Sequence, residues 1–249
     1  VFYLIFHQWY NVDATHAFDI TRYPFSCFSK VKTWVFDPPY NVNFKYGAKV
    51  KDNKSLEEYK DFIFKVGQNM FNNSQENANL FHINYPEQAS RTLEDLERAG
   101  WSLKQWISWV YPSNMGMSKN KCTTAHRAVL WMVKGEPQPN MKAVLQPYKN
   151  PNDKRIKKRI AEGHEGTHLY SWWNVNMRKN VSKGYKGWFN QLPYELIRRI
   201  ILLTTDEEDV VGDLMAGGCS TYEVAKDLNR SSLCFDIDEK SKVMWDDMV

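Results

Sequence analysis

Four consecutive residues, Asp37-Pro38-Pro39-Tyr40, stand at the end of the apolar run Thr33-Trp34-Val35-Phe36. Together they can hold a flat ring that carries an amino group. Asp37 accepts hydrogen bonds from such an amine, and Tyr40 offers a face for stacking. Pro38 and Pro39 fix φ and have no N–H, so the Pro38 carbonyl is presented in a stiff, extended turn. The tetrad therefore points to chemistry on a nucleobase amine. A second constellation, Asp213-Leu214-Met215-Ala216-Gly217-Gly218-Cys219-Ser220-Thr221, reads as a strand end, a small-residue turn and a helix start. Small residues let a ligand approach the backbone, and a helix N-terminus offers unbonded N–H groups. Such a turn binds a cofactor or serves as a plain structural connection. About twenty residues on, Asp236 closes the next apolar run, where a carboxylate in comparable folds accepts hydrogen bonds from ribose hydroxyls.

Alternating strand and helix signals from about Lys32 onward put these residues on a mostly parallel sheet covered by helices on both faces. Val31 to Phe36 reads as one strand. Ser55-Leu56-Glu57-Glu58 has the pattern of a capping box opening an amphipathic helix to about Met70. Asn79 to Asn84, Trp106 to Val110 and Ala128 to Val133 read as strands, and Gln88 to Ala99 as a helix stopped by Gly100. Pro193 suits the first turn of a helix through about Leu203. Asp209 to Asp213 and Ser232 to Phe235 read as strands, with a helix from Thr221 to Leu228 between them. The opening Val1-Phe2-Tyr3-Leu4-Ile5-Phe6 reads as a strand, being too short for a membrane span and lacking the basic lead of a signal peptide. The first residue is Val rather than Met, which leaves the true N-terminus open. Between Gly135 and Pro193 no periodicity is visible.

At 249 residues, 43% hydrophobic and 14% aromatic, the chain has enough apolar material for one main α/β domain with an insertion. Its net charge of +4 supports nucleic-acid binding only weakly. The distribution says more, because ten Lys or Arg face three acids between Lys149 and Lys186. Lys154, Arg155, Lys157, Lys158 and Arg159, with Arg178 and Lys179 further on, have the charge to neutralise phosphates, a contact that sets affinity but not sequence choice. A run of this kind is also the ordinary make-up of a solvated helix face. Trp172 and Trp173 either pack the insertion or touch the duplex, and packing is the favoured reading, since paired tryptophans are costly to expose. Cys27, Cys122, Cys219 and Cys234 form no C-x-x-C pair, which argues against a zinc site or a disulfide framework and fits a reduced cytosolic setting. His164 and His168 are four apart but lack a third ligand, so no metal is expected.

In the content and order of its motifs the chain resembles the β-class of S-adenosylmethionine-dependent DNA amino-methyltransferases. Asp37-Pro38-Pro39-Tyr40 with Asn41-Val42-Asn43-Phe44 looks like motif IV of that family, and Asp213 through Thr221 looks like motif I. The catalytic tetrad first and the cofactor loop last is the permuted order of the β-class. Thr123-Thr124-Ala125-His126-Arg127-Ala128-Val129-Leu130-Trp131 is similar to motif VIII, and Gln191-Leu192-Pro193-Tyr194-Glu195-Leu196-Ile197 to motif X. Asn11-Val12-Asp13-Ala14-Thr15 is similar to motif III, which puts Asp13 near the cofactor's adenine; an exposed loop acid is the other reading. Residues 8 to 12 then supply the third strand of the cofactor half.

The resemblance implies an α/β, Rossmann-like methyltransferase fold with a mixed, mostly parallel sheet, helices on both faces and permuted motif order. Residues 1–135 and 188–249 would form the catalytic and cofactor-binding domain, and 136–187 an inserted target-recognition region. The implied reaction is site-specific transfer of a methyl group from S-adenosylmethionine to N6 of an adenine flipped out of double-stranded DNA. Asp37, Pro38, Pro39 and Tyr40 would be catalytic. Asp13, Asp37, Gln191, Pro193, Asp213, Met215, Ala216, Gly217, Gly218, Cys219, Ser220 and Asp236 would hold the cofactor. Tyr40, Asn43 and His126 would surround the base, although His126 is equally well a structural group at a strand edge. The basic residues named above would contact DNA.

Asp at the head of the tetrad favours adenine by family habit. The alternatives are cytosine N4, adenine in RNA, and an inactive DNA-binding or regulatory subunit of the same fold. The last is motivated by departures from the family pattern: Leu214 and Met215 for Pro-Phe, Cys219 for a glycine, Arg127 for Glu, Trp188-Phe189 for His-Pro, and Leu192 for Lys. A side chain at Cys219 is expected to narrow the methionine end of the cofactor pocket. The expected setting is cytoplasmic and nucleoid-associated, as a monomer or homodimer, with or without a restriction or methyltransferase partner subunit.

Overall fold

The computed structural model describes residues 5–16, 31–44, 52–112, 119–178, 188 and 190–249. Strand β2 (Val31–Phe36) holds the middle of the sheet because it is apolar on both sides, and Trp34, Val35 and Phe36 have no exposed surface. It pairs in parallel with β7 (Val210–Asp213) on one side and β3 (Ser74–Asn84) on the other. Beyond β7 lie β8 (Ser231–Asp236) and β1 (His7–Asn11), both parallel. Beyond β3 come β5 (His126–Lys134) and β4 (Ser102–Val110), each antiparallel to its inner neighbour, then β6 (Trp172–Asn174), parallel to β4. The order β1-β8-β7-β2-β3-β5-β4-β6 is the mixed, mostly parallel sheet read from the sequence. The strand expected over Val1 to Phe6 begins instead at His7, with Val1 to Leu4 outside the described residues. It supplies the extra strand of the cofactor half, since Asn11 lies beside Asp236.

Helices α1 (Leu56–Asn72) and α2 (Pro86–Arg98) cover one face over Trp34, Phe36, Leu80 and Leu130. The capping box forms: Ser55 Oγ accepts the Glu58 N–H at 3.2 Å, and the Glu58 carboxylate accepts the Ser55 N–H at 2.8 Å. Helices α4 (Tyr194–Thr204) and α5 (Ser220–Asp227) cover the other face over Val35, Phe81, Ile83 and Val211. Helix α6 (Glu239–Asp246) closes against Cys219, Tyr222 and Cys234. A Cβ at Gly212 would overlap the Trp34 ring, so glycine is what lets β7 carry that side chain against its backbone. Among the described residues no helix is long and apolar enough to cross a membrane.

The stretch that showed no periodicity holds α3 (Lys154–Ala161), capped by Asp153, whose carboxylate accepts the Arg155 N–H at 2.8 Å. It buries none of its residues, so no apolar stripe could announce it. The tryptophan pair divides. Trp173 is buried beside Trp109, whereas Trp172 is 44% exposed, with its ring stacked on Tyr170 at 5.6 Å and 15°. Neighbouring strand residues face opposite sides, so only one of the two can pack inward.

Candidate active site

Asp13, Asp236, Asp213 and Asp37 lie at or just past the carboxyl ends of four adjacent parallel strands, β1, β8, β7 and β2. Ligands in open α/β sheets bind along this edge. The tetrad and the glycine turn are remote in sequence and become neighbours because β2 pairs with β7, Val35 lying opposite Asp213. Between them is a cavity of about 200 Å³. Its wall includes Asp37, Pro38, Pro39 and Tyr40, then Asp213, Met215, Ala216, Gly217, Gly218 and Ser220, with Asp13, Gln191, Trp188 and Asp236.

Each part of the tetrad is held. The Tyr40 hydroxyl donates to Asp37 Oδ1 at 2.5 Å. Burial pushes the Asp37 carboxyl up to about 7, while that hydrogen bond and the Arg127 charge pull it back. Tyr59 donates its hydroxyl to the Pro39 carbonyl at 2.9 Å and accepts from Asn84 Nδ2 at 2.8 Å, which fixes the turn to α1 and β3. Among the described residues no donor is bonded to the Pro38 carbonyl. Beyond Tyr40, Asn41 and Asn43 take left-handed φ of 55° and 63°, a conformation Asn tolerates. The buried Asp52 carboxylate accepts the N–H groups of Asn41, Val42 and Phe44 at 2.6, 3.1 and 2.7 Å. Asn43 is exposed and off the cavity wall. It is a turn position, and Asp52, which nothing in the motif pattern singled out, is what braces that turn.

The glycine turn is braced by two acids. Asp213 accepts the Met215 N–H at 3.0 Å and the Thr221 hydroxyl at 2.6 Å, and burial pushes its carboxyl up to about 7. Asp236 accepts the N–H groups of Gly217 and Asp238, both at 2.8 Å, and burial raises its pKa as well. A Cβ at Gly217 or Gly218 would press on Trp188, 2.9 Å away in either case. Gln191 donates to the Gly218 carbonyl at 2.7 Å, which leaves its buried Oε1 without a donor among the described residues. Cys219 caps α5 with a left-handed φ of 58°. Its Sγ is fully buried behind the turn, 3.7 Å from the Ser241 and Gly217 carbonyls, and does not reach the cavity wall. The expected narrowing of the pocket is therefore corrected, because the side chain points into the α6 cluster. Pro193 is also off the wall; it precedes α4, and its carbonyl takes the N–H groups of Leu196 and Ile197. Asp13 is exposed and on the wall at once, with Oδ1 accepting the Thr15 N–H at 2.8 Å.

His126 opens β5 and is absent from the wall; its carbonyl accepts the Tyr111 hydroxyl at 3.2 Å. The β5 residue that meets the tetrad is Arg127. Its guanidinium lies 3.8 Å from the Tyr85 ring centre, 5.1 Å from that of Tyr111 and 5.2 Å from that of Tyr40. The signal available in the sequence was a lone cation at the head of an apolar strand.

A family model for DNA methylases of the N6 and N4 type matches residues 31–244. The chain belongs to this DNA methylase family. It is 26% identical over 220 residues to the type II methyltransferase M.BamHI of Bacillus amyloliquefaciens, covering 83% of this chain and 50% of that protein. With M1.MboII of Moraxella bovis it shares 25% identity over 223 residues, 83% of this chain and 84% of the other. The chain thus spans half the length of M.BamHI, and 64% of M.HpaI of Haemophilus parainfluenzae. Among solved structures, the cytosine-N4-specific PvuII DNA methyltransferase superposes with a TM-score of 0.71 at 15% identity, covering 96% of this chain and 84% of its own. M1.HpyAVI, solved in complex with S-adenosylmethionine, gives 0.59 at 19% identity and covers 97% and 99%. These likenesses show a shared Rossmann-like methyltransferase fold.

Away from its cavity the chain carries an exposed basic face. Lys154, Arg155, Lys157, Lys158 and Arg159 all lie on the solvated helix α3. The exposed Trp172 is near them in sequence, with Lys149 Nζ 5.4 Å from its ring centre. Arg178 does not join this face: its side chain is 9% exposed and ion-paired to Glu223 of α5 at 3.2 Å, so its assignment to a DNA surface is corrected. Lys179, Phe189 and Cys27 lie outside the described residues. Among the described residues no cluster of His, Cys, Asp or Glu could hold a metal ion.

Proposed function

We propose that this methylase transfers a methyl group from S-adenosylmethionine to the exocyclic amine of a base in double-stranded DNA, with N6 of adenine as the target. One observation carries the reading: the Asp37 carboxylate and the unengaged Pro38 carbonyl open onto the same cavity as the braced glycine turn. The residues present suit the cofactor. Among the described residues the wall holds the carboxyl groups of Asp13, Asp37, Asp213, Asp236 and Asp238 against one lysine, Lys54, a balance that favours a cationic sulfonium. Gln191 Oε1 is an acceptor without a donor among the described residues, beside the glycine turn and suited to the ammonium of a methionine moiety. Asp236 and Asp13, on the same wall, are acceptors suited to ribose hydroxyls and the adenine amine.

S-adenosylmethionine, when bound, supplies a methyl group already activated by its sulfonium, so no covalent enzyme intermediate is required. The chain's own residues prepare the nucleophile. An amine conjugated to a ring is weakly nucleophilic because its lone pair is delocalised. Hydrogen bonds from its two N–H groups to Asp37 Oδ2 and the Pro38 carbonyl favour a pyramidal nitrogen and aim the lone pair away from the ring plane. A carboxyl held near 7 then takes the proton that the methylated amine must lose. Tyr40 replaces part of the stacking that the base gives up on leaving the duplex. The cations of α3 neutralise phosphates, and residues 136–187 form the target-recognition region.

Cytosine N4 is the second reading, prompted by the fold likeness to the cytosine-N4-specific PvuII enzyme. Two acceptors for two N–H groups serve either amine, and Asp at the head of the tetrad is what favours adenine. Incubation of unmethylated duplex DNA and of structured RNA with methyl-labelled cofactor, followed by nucleoside mass analysis, tests the proposal. Label in N6-methyl-2′-deoxyadenosine from DNA is expected. Label only in cytosine overturns the choice of base, label only in RNA overturns the choice of nucleic acid, and none in either overturns the activity.

A further inference from the structure

A cation buried among rings without an acidic partner is a costly arrangement. Arg127 is 7% exposed, and no ion pair joins it to a carboxylate among the described residues. Its Nε has no acceptor there. What surrounds it is aromatic: the three tyrosine rings described above. Nη2 donates to the Tyr85 hydroxyl at 3.1 Å, and Nη1 is bonded to that of Tyr111. Attraction to ring faces offsets part of the desolvation. The rings are also tied to the tetrad. Tyr40 meets Tyr85 edge to face at 5.2 Å while its hydroxyl donates to Asp37, so one ring links the guanidinium to the carboxylate. The adjoining Asn84 bonds the Tyr59 hydroxyl that holds Pro39.

We propose that Arg127 is a positioning residue for the methyl transfer: it clamps Tyr40 and Tyr85 so that the Tyr40 hydroxyl caps Asp37 Oδ1 and leaves Oδ2 to the amine. This rests on the transfer reading above, which the decisive experiment separates from it.

The other groups around Asp37 divide by sign. Asp213 on β7 lies close enough for its charge and that of Asp37 to oppose each other's ionisation. Asp13, Asp236 and Asp238 across the cavity add negative charge, and Lys54 adds one positive. Tyr59 on α1 is neutral, its pKa raised by burial, and His82 on β3 is buried and held neutral, its pKa pushed down to about 3. Arg127 is therefore the fixed cation set against a cluster of acids. A protonated Asp37 offers the amine one acceptor fewer, so loss of Arg127 weakens transfer at low pH and spares it at high pH.

The test compares wild type, Arg127→Met and Arg127→Lys in transfer rate from pH 6 to 9, with melting curves for each. For Arg127→Met a rise of one unit in the acid limb is expected, which is about a tenfold loss of kcat at pH 6.5 recovered by pH 9, with KM for DNA little changed. Arg127→Lys keeps the charge and is expected to keep the limb. A loss equal at every pH, a loss equal in both variants, or no loss overturns the proposal. Carboxyl NMR titration of Asp37 in the same proteins reads the effect without any transfer: an unmoved midpoint in Arg127→Met refutes it even if the methylase acts on some other substrate. Should Arg127→Met not fold, Arg127→Gln, which also lacks the charge, takes its place.

Discussion

Replacing Asp37 with Asn is expected to abolish methyl transfer and, above neutral pH, to stabilise the fold. The folded carboxyl titrates at about 7 against the usual 3.8. An acid with a raised folded pKa contributes its stability fully below 3.8 and loses it as pH rises through 7. At pH 8.5 the charged form thus costs the fold up to about 4 kcal/mol, an upper bound because Asp37 keeps some contact with solvent. Asn has the same shape, and its amide oxygen can still accept the Tyr40 hydroxyl; the attraction to Arg127 is already contained in the value near 7, so solvent screening alone reduces the figure. A net gain of about 1–2 kcal/mol at pH 8.5 follows, or a rise in Tm of roughly 2–8 °C for a chain of this size. By pH 5 the folded wild type is protonated and the gain shrinks by more than half, vanishing towards pH 4. Urea unfolding of both proteins at pH 8.5 and 5 measures this, beside a transfer assay. An Asn variant less stable than wild type at pH 8.5, or a difference equal at the two pH values, would refute the account of a buried, strained carboxylate.

Further outcomes test the cofactor turn and the inserted region. Cys219→Gly relieves a left-handed backbone worth about 1 kcal/mol and forfeits a similar amount of buried sulfur, so stability is expected to change by less than about 1 kcal/mol. Calorimetry is expected to give the same affinity for S-adenosylmethionine, and a tenfold change would put Sγ at the pocket after all. Exposed residues of the inserted region are expected to divide by mechanism in DNA-binding titrations read by fluorescence anisotropy. Tyr170→Ala with Trp172→Ala removes no charge and is expected to leave the salt slope unchanged. Lys154→Ala with Lys158→Ala flattens that slope by about two. An unchanged slope in the lysine double variant would remove α3 from the interface.

The parts of this protein that were legible in its sequence are those whose physical cause is local. A run that is apolar on both sides makes β2, Ser55 and Glu58 make the start of α1, and Pro38, Pro39, Gly217 and Gly218 shape their own turns. Helix α3 escaped because it packs on nothing, and a helix without a buried stripe leaves no period to read. Trp172 and Trp173 were read alike although strand geometry sends them to opposite sides, since their strand is three residues long. Asn43 and Cys219 look like site residues by position; the direction of a side chain at a left-handed backbone is set by what packs around the turn.

By itself, then, the sequence determined the family's motifs, their permuted order and the two turns, each written in adjacent residues. Only the tertiary structure decided what shares a cavity. Pairing of β2 with β7 and of β1 with β8 gathers Asp37, Asp213, Asp236 and Asp13 at one edge, and burial there raises the pKa of three of them together. Arg127 gains its meaning the same way. A lone arginine in an apolar strand signifies nothing until Tyr40, Tyr85 and Tyr111 arrive from three other segments, because the charge of a buried group acts through its neighbours in space.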